Sequence, residues 1–149
     1  MKSSFGAQAV KGAASCCFLG YLPVAPGTMG AVLGLVTVWY AEVWGAILAV
    51  VLTAIGYSLC GPAQKAFGSE DPKAFVLDEA AGMAVSLLAL PHTGAVAFTA
   101  FVIFRVLDIF KPWPIRECEK TGGAFAIMHD DLAAGLITNF ILRILLWIR

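Results

Sequence analysis

Five carboxylates stand in three short clusters, and each cluster lies at an end of an apolar stretch of the sequence. The carboxylates are Asp78, Glu79, Asp108, Asp130 and Asp131. Carboxylates at the edge of an apolar region are costly unless they are paired or bind a cation. Ligand sets made only of oxygen favour Mg²⁺ or Mn²⁺ over zinc. The clusters therefore predict a pool of ligands for one or two Mg²⁺ ions, with Mn²⁺ as a possible substitute.

Helix N-capping is the alternative interpretation of these acids. It accounts for Asp78 and Asp130 singly, because Asp at a helix start accepts from free N–H groups and suits the helix dipole. It does not account for Glu79 and Asp131 beside them. Nor does it account for Asp108, which closes an apolar stretch where the dipole opposes a negative charge. The pattern as a whole favours metal binding.

Arg105, Asp108 and Lys111 follow one another at a spacing of three residues. On a helix they share a broad face, so Arg105 and Lys111 are suited to hold a phosphate while Asp108 holds the metal. A plain intrahelical salt bridge between Asp108 and Arg105 is the alternative, and the spacing alone leaves both open. Pro112 and Pro114 then end the helix.

Two further segments add weaker signals to the same site. The turn Pro23–Gly30 leads into an apolar helix, and Thr28 is predicted as its N-cap, so that free N–H groups around Gly27 and Thr28 bind an anion. Thr121, Gly122 and Gly123 offer a flexible approach to Asp130. His129 is a candidate proton shuttle, although such a histidine is more often an exposed neighbour.

Other phosphatase chemistries fail on pattern. None of the four cysteines has Arg six positions on, no Asp-x-Asp motif occurs, and no phosphate-binding P-loop is present. The cysteines also show no C-x-x-C pair, and we interpret them as small packing residues. Net charge is zero, so the chain carries no general attraction for nucleic acid.

The elements that must position these residues are apolar helices. Hydrophobic residues make up 60% of the chain and charged residues 13%, and mean hydropathy is +0.84. The apolar runs do not alternate with polar residues, which disfavours strands. One all-α domain, 1–149, is predicted as a polytopic membrane protein with an interfacial helix within 4–18; a soluble helical bundle is the alternative. The predicted apolar blocks are 28–41, 43–61, 80–90, 94–107 and 132–148.

Only the blocks 43–61 and 132–148 approach the roughly 20 residues needed to cross a bilayer. A short turn around Glu42 joins the first two blocks, whereas the connections 62–79 and 108–131 are long and polar. If each block crosses, both long connections and segment 12–27 share one face, which the positive-inside rule makes cytoplasmic. That face carries eight of the ten basic residues: Lys2, Lys11, Lys65, Lys73, Arg105, Lys111, Arg116 and Lys120.

Four motifs resemble the phosphatidylglycerophosphatase A family in order and spacing along nearly the whole chain: Pro23–Gly30, Val76–Gly82, Phe104–Ile115 and Gly122–Gly135. The resemblance implies a Mg²⁺-dependent enzyme of the bacterial inner membrane. The implied reaction hydrolyses phosphatidylglycerophosphate to phosphatidylglycerol and phosphate. Two small departures, Ala126 for the usual glycine and Ala31 where serine is frequent, lie outside the acidic clusters and bear more on substrate preference than on metal binding.

The hypothesis is in-line attack of water on phosphorus at a site built by the carboxylates, with Asp131, Asp130 and Asp108 as catalytic candidates. One aspartate, with Asp131 foremost, serves as general base or as nucleophile, and the sequence leaves both roles open. A cation carrier or channel subunit is the alternative function. It would need polar residues deep in the apolar blocks, which contain few. A lipid-anchoring assembly factor would leave the clustered carboxylates without a purpose.

Overall fold

A computed structural model describes residues 5–41, 44–120 and 122–148. Glu42, Lys2 and Thr121, which enter the sequence interpretation, lie outside the described residues. Within them all regular structure is helical, which confirms the all-α prediction. A short 3₁₀ helix spans Leu19–Tyr21, and the α-helices are α1 Phe5–Ala14, α2 Pro26–Ala41, α3 Gly45–Phe67, α4 Leu77–Ser86, α5 Gly94–Phe110, α6 Ile115–Glu119 and α7 Ala126–Ile148.

The short helix α4 lies at the centre, packed against α2, α3 and α7. Every residue of α4 except Glu79 is buried. Small side chains permit this packing, because they let neighbouring backbones approach closely. Gly34 of α2 faces the Ala80 carbonyl, and Gly135 of α7 faces the Gly82 carbonyl, so closely that a Cβ at either glycine would overlap that oxygen. These backbone contacts therefore set how closely α2 and α7 approach α4.

Three helix bounds differ from the predicted blocks by four residues or more. α3 continues through Pro62, which is exposed, and ends only at Gly68 in the left-handed conformation with φ 71°. The predicted loop 62–79 is correspondingly shorter. α7 begins at Ala126 instead of 132, so Asp130 and Asp131 lie inside the helix instead of opening it. α4 ends at Ser86, short of the predicted residue 90.

Two helices, α3 and α7, are long and apolar enough to cross a membrane, each with 23 residues. At 1.5 Å per residue each is about 35 Å long, slightly more than a bilayer core. Only 22% and 28% of their most apolar windows are buried inside the protein, unlike the core helices of a soluble bundle. Two spanning helices are fewer than the five predicted blocks, although the sequence singled out these same two for length.

Helix α1 lies within the predicted interfacial segment 4–18, of which residue 4 is outside the described part of the chain. It packs against α3. Its Lys11 ammonium lies 5.4 Å from the centre of the Phe67 ring, a cation–π contact. The Ala14 carbonyl accepts from the Val76 N–H at 3.1 Å, which ties α1 to the residue that precedes α4.

Candidate active site

A cavity of about 610 Å³ opens at the end of the bundle where α2 and α4 begin and α5 ends. All five predicted carboxylates line it, together with Gly27, Arg105 and Lys111. Thr28 does not line it. The three acidic clusters, far apart in sequence, thus converge on one space, and further cavity residues come from the loops that follow α3 and α6.

Three carboxylates form the tightest group. Asp78, Glu79 and Asp131 each offer one oxygen, and these three atoms lie within 4.8 Å of one another. Asp78 and Glu79 occupy the first turn of α4, where the helix dipole favours negative charge. Asp131 comes from α7, which the Gly82–Gly135 contact brings close to α4. This arrangement matches an oxygen-ligated cation site in residue type and spacing.

Buried oxygens without partners support the same interpretation. Oε2 of Glu79, Oδ1 of Asp130 and Oδ1 of Asp131 are buried and accept no hydrogen bond from the described residues. Buried polar atoms are nearly always satisfied in native proteins. Three orphaned carboxylate oxygens in one cavity therefore fit a divalent cation, which would supply the missing positive partner.

Helix capping, the alternative at the sequence level, holds only in part. Val76 is the N-cap residue of α4 and makes no side-chain cap bond, while Asp78 Oδ1 accepts from the Glu79 N–H at 2.9 Å. Asp130 lies in the second turn of α7 and caps nothing at its start. The pair at α4 therefore benefits from the helix terminus, but Asp130 and Asp131 do not.

The electrostatics of the α4 pair reflect crowding. Burial, with the neighbouring Glu79 charge, raises the pKa of Asp78 well above its usual range. Burial also raises the pKa of Glu79, with the Asp108 charge adding to it, while Arg105 opposes the rise. Both shifts mean that the protein alone does not stabilise full ionisation of the cluster. A cation among the carboxylates would reverse that balance.

Asp108 lies beside Asp131 and forms an ion pair with Arg105 on its own helix. The intrahelical salt bridge is therefore present, and both of its partners also line the cavity. Nε of Arg105 is buried without an acceptor among the described residues. The guanidinium thus retains a donor after pairing with Asp108, as an anion-binding residue requires.

Lys111 terminates α5 in the left-handed conformation, with φ 44°. Its Nζ lies 2.6 Å from Asp130 and 3.1 Å from Glu119. Burial works to lower the pKa of Lys111, but the hydrogen bonds and charges of Asp130 and Glu119 outweigh it and raise that pKa. The ammonium stays charged at neutral pH. The sequence did not indicate Glu119, because the pair joins the residue that ends α5 to the last residue of α6, eight positions on, and leaves no periodic signal.

Two weaker predictions are corrected. α2 begins at Pro26, so Ala25 stands in the N-cap position instead of Thr28. The Thr28 N–H donates to the Ala25 carbonyl at 3.0 Å and so is already engaged. His129 lies outside the cavity lining, with its ring centre 5.8 Å from that of Tyr57. His92 packs near Trp39, towards the far end of α2, so the two histidines lie at opposite ends of the bundle.

Gly27 provides a direct test of this geometry. A Cβ there would overlap Oε1 of Glu79 and lie 3.2 Å from an Arg105 nitrogen. We expect Gly27→Ala to displace Glu79 and lower kcat/KM for phosphate release about 10²-fold, as misplacement of a reacting group by 1 Å can. The thermal midpoint should change little. Gly61→Ala, whose Cβ meets nothing within 4 Å, is the matched control. Equal activity of the two variants would contradict the role given to this contact.

The described residues thus combine an all-helical fold, two helices that are long and apolar enough to cross a membrane, and a carboxylate-lined cavity at one end of the bundle. The family model described as Phosphatidylglycerophosphatase A matches residues 12–146. The chain therefore belongs to the phosphatidylglycerophosphatase A family, and this membership supports lipid phosphatase function.

Curated relatives agree over most of the chain. It is 41% identical to Phosphatidylglycerophosphatase A of Escherichia coli, over 83% of this chain and 75% of the relative. A Haemophilus influenzae protein of that name is 34% identical over 78% of this chain and 76% of its own length. A Bacteroides thetaiotaomicron protein, whose assignment as a phosphatidylinositol-3-phosphatase is provisional, is 32% identical over 87% of this chain and 88% of its own length. No solved structure matches.

Proposed function

We propose that this protein hydrolyses the terminal phosphate monoester of phosphatidylglycerophosphate in a Mg²⁺-dependent reaction. The observation that carries the proposal is the convergence of Asp78, Glu79 and Asp131 within 4.8 Å, with orphaned oxygens, in a member of this family. A metal held by these carboxylates, together with the side chains of Arg105 and Lys111 in the same cavity, suits a phosphate ester as substrate.

Asp78, Glu79 and Asp131 are the residues that would hold the metal, with Asp108 and Asp130 at the edge of the same cavity. A divalent cation bound there supplies Lewis-acid chemistry, neutralising the charge of the phosphoryl group and making water more acidic. Asp130 already has Lys111 as a partner, so we assign it an outer role that orients Lys111. Mn²⁺ is expected to substitute, because it accepts the same oxygen ligands.

The chain's own cations bind and orient the phosphate. The orphaned Nε of Arg105 can donate to a phosphoryl oxygen, and Lys111 at 29% side-chain exposure can reach another. Both remain positively charged as negative charge builds up on the transferring group. Gly27 leaves the space in which Glu79 and Arg105 meet. For Thr28, only its position beside Gly27 in the first turn of α2 still supports phosphate binding.

Asp131 is proposed as the residue closest to the chemical step, as general base or as nucleophile. The two roles differ in where phosphate resides during turnover. Acid quenching during turnover of labelled substrate would leave phosphate on the protein if Asp131 attacks phosphorus itself. With Asp131 as a base that takes a proton from water, the protein would carry no label.

For the cellular setting we propose the bacterial inner membrane, multi-pass, with the cavity on the cytoplasmic side. The basic residues support this orientation. Arg105, Lys111 and Lys73 line the cavity, whereas Arg143 lies towards the other end, where it donates to the Leu88 carbonyl. Excess positive charge at the cavity end fits the positive-inside rule. The lipid head group then enters from that side while the acyl chains stay in the bilayer.

A phosphoinositide is the second candidate substrate, on the strength of the Bacteroides relative, which matches 87% of this chain. Both substrates present a phosphate monoester on a lipid head group, so the same cavity serves either. A cation carrier, the alternative from sequence, gains no support from a family of phosphatases. Cation flux into liposomes without hydrolysis would restore it.

The deciding experiment measures phosphate release by purified protein in detergent. Phosphatidylglycerophosphate, phosphatidylinositol 3-phosphate and phosphatidic acid are compared at equal surface concentration. We expect the first to give the highest kcat/KM, with activity lost in excess chelator and restored by Mg²⁺, because the carboxylates need the cation to bind phosphate. Full release in excess chelator would refute metal dependence. Release from the phosphoinositide alone would change the substrate assignment.

A further inference from the structure

Helix α4 stops abruptly in an apolar environment. It has 10 residues and is therefore about 15 Å long, half the thickness of a bilayer core. Beyond it the chain turns at 87–89 and stays non-helical until α5 begins at Gly94. Ser86, Leu87 and Leu90 are all buried. The last carbonyls of a helix have no partner within it, so at this depth other protein groups must donate to them.

Two side chains of α7 provide these donors. Asn139 Nδ2 lies 3.1 Å from the Ser86 carbonyl oxygen and 2.9 Å from that of Leu88, with that of Val85 at 3.4 Å. Arg143 donates to Leu88 at 3.0 Å. Its Nε also donates to Oδ1 of Asn139 at 2.8 Å, which fixes the amide with its NH₂ group towards α4. One amide and one guanidinium thus cap the broken end.

The capping contact belongs to a series along the α4–α7 interface. Asp78 lies near Asp131, Gly82 touches Gly135, and Ser86 accepts from Asn139. On each helix successive members are four residues apart, so they form one stripe. The order shows that both helices run in the same direction, away from the cavity. Asp78 and Asp131 form one end of this stripe, and the contact of Asn139 with Ser86 forms the other.

We infer that Asn139, held by Arg143, is a positioning residue for the acidic site: it fixes the register of α4 on α7. A slip of α4 by one turn would move Asp78 about 5.4 Å. That displacement exceeds the 4.8 Å within which the three carboxylate oxygens now lie. The glycine contact alone resists approach of the helices but offers no directional bond along them. The inference rests on the proposed function only where it concerns catalysis.

The test measures the register of α4 on α7 through the thermal midpoint of unfolding, so it needs neither bound metal nor an activity assay. Asp78→Asn, Asp131→Asn and the double variant are made in the wild-type and Asn139→Ala backgrounds, in detergent with excess chelator. Because the two carboxylates are close, their effects on the thermal midpoint should be non-additive in the wild type. We expect Asn139→Ala to reduce that non-additivity by at least half. Unchanged non-additivity would overturn the inference, even if Asn139→Ala lowers the midpoint itself.

Thr138→Val is the matched control. Thr138 is buried one residue away, and its hydroxyl donates to Ala134 of its own helix at 2.7 Å. We expect Thr138→Val to leave the non-additivity between Asp78 and Asp131 intact. An equal loss of non-additivity in Thr138→Val would mean that any change in this part of α7 has the same effect, which also overturns the inference. If Asn139→Ala does not fold, the milder Arg143→Gln is used in the same cycle and is expected to give a smaller loss in the same direction.

A second readout connects register to catalysis. In Mg²⁺, we expect Asn139→Ala to lower kcat for phosphatidylglycerophosphate at least tenfold, while Thr138→Val stays within twofold of wild type. A wild-type protein that releases no phosphate would sink the proposed function, yet the metal-free cycle would still decide the register. Conversely, if Asn139→Ala keeps both a normal kcat and a normal non-additivity, the inference about register is rejected while the proposed function stands.

Discussion

Asp131→Asn is expected to lower kcat for phosphate release by about 10²–10⁴-fold, the range for loss of a general acid–base group. Asp131 is only 4% exposed. Its carboxylate lies close to those of Asp78 and Glu79 on one side and to that of Asp108 on the other. Asn preserves its shape but removes the charge. The same change removes repulsion from the metal-free cluster, so the thermal midpoint in chelator should stay equal or rise. Loss of activity without loss of stability identifies a functional carboxylate.

The measurement compares kcat at saturating Mg²⁺ with the thermal midpoint in chelator. Glu117→Gln is the control, because Glu117 is exposed and pairs with Lys120, away from the cavity lining. Asp108→Asn should also lose activity, but it additionally frees Arg105 from its ion pair. Activity of Asp131→Asn within about threefold of wild type would remove this residue from the site.

The convergence of the acidic clusters was predictable from sequence, and the reason is physical. Charges are excluded from apolar helices, so Asp78, Asp108 and Asp131 could only stand near helix ends. Alternating long polar and short connections then place those ends together. The end of α2 at Ala41 and the start of α5 at Gly94 match the predicted blocks, because polar or turn residues flank the apolar runs there.

Other features depend on contacts that sequence does not encode locally. Asp130 and Asp131 resemble loop residues by charge, yet α7 includes them, because Asp130 pairs with Lys111 and both carboxylates face the cavity. The predicted block 43–61 stops before Pro62, but the proline ring is exposed and α3 continues through it. The early end of α4 depends on donors more than fifty residues away, on Asn139 and Arg143. No residue near position 86 in the sequence indicates that these donors are present.

The glycine contact between α4 and α7 should matter for folding as much as Asp131 matters for chemistry. Gly135→Leu would place a side chain where the Gly82 carbonyl now lies. Backbone on both sides cannot yield as a flexible side chain would, so the helices must separate. We expect a loss of more than about 3 kcal/mol in the free energy of unfolding, at or beyond the usual range for overpacking. Little folded protein should survive gel filtration in detergent.

Gly61→Ala tests whether the effect comes from the interface or from helix composition. Gly61 lies inside α3, and its Cβ would meet nothing within 4 Å. Alanine there should be neutral or stabilise by up to about 1 kcal/mol, because it restricts the unfolded chain. A folded Gly135→Leu protein with the wild-type midpoint would show that α7 does not hold α4 by backbone contact. In that case the separation of Asp78 from Asp131 would have to be set by the carboxylates themselves, and cation binding would then have to draw the two helices together.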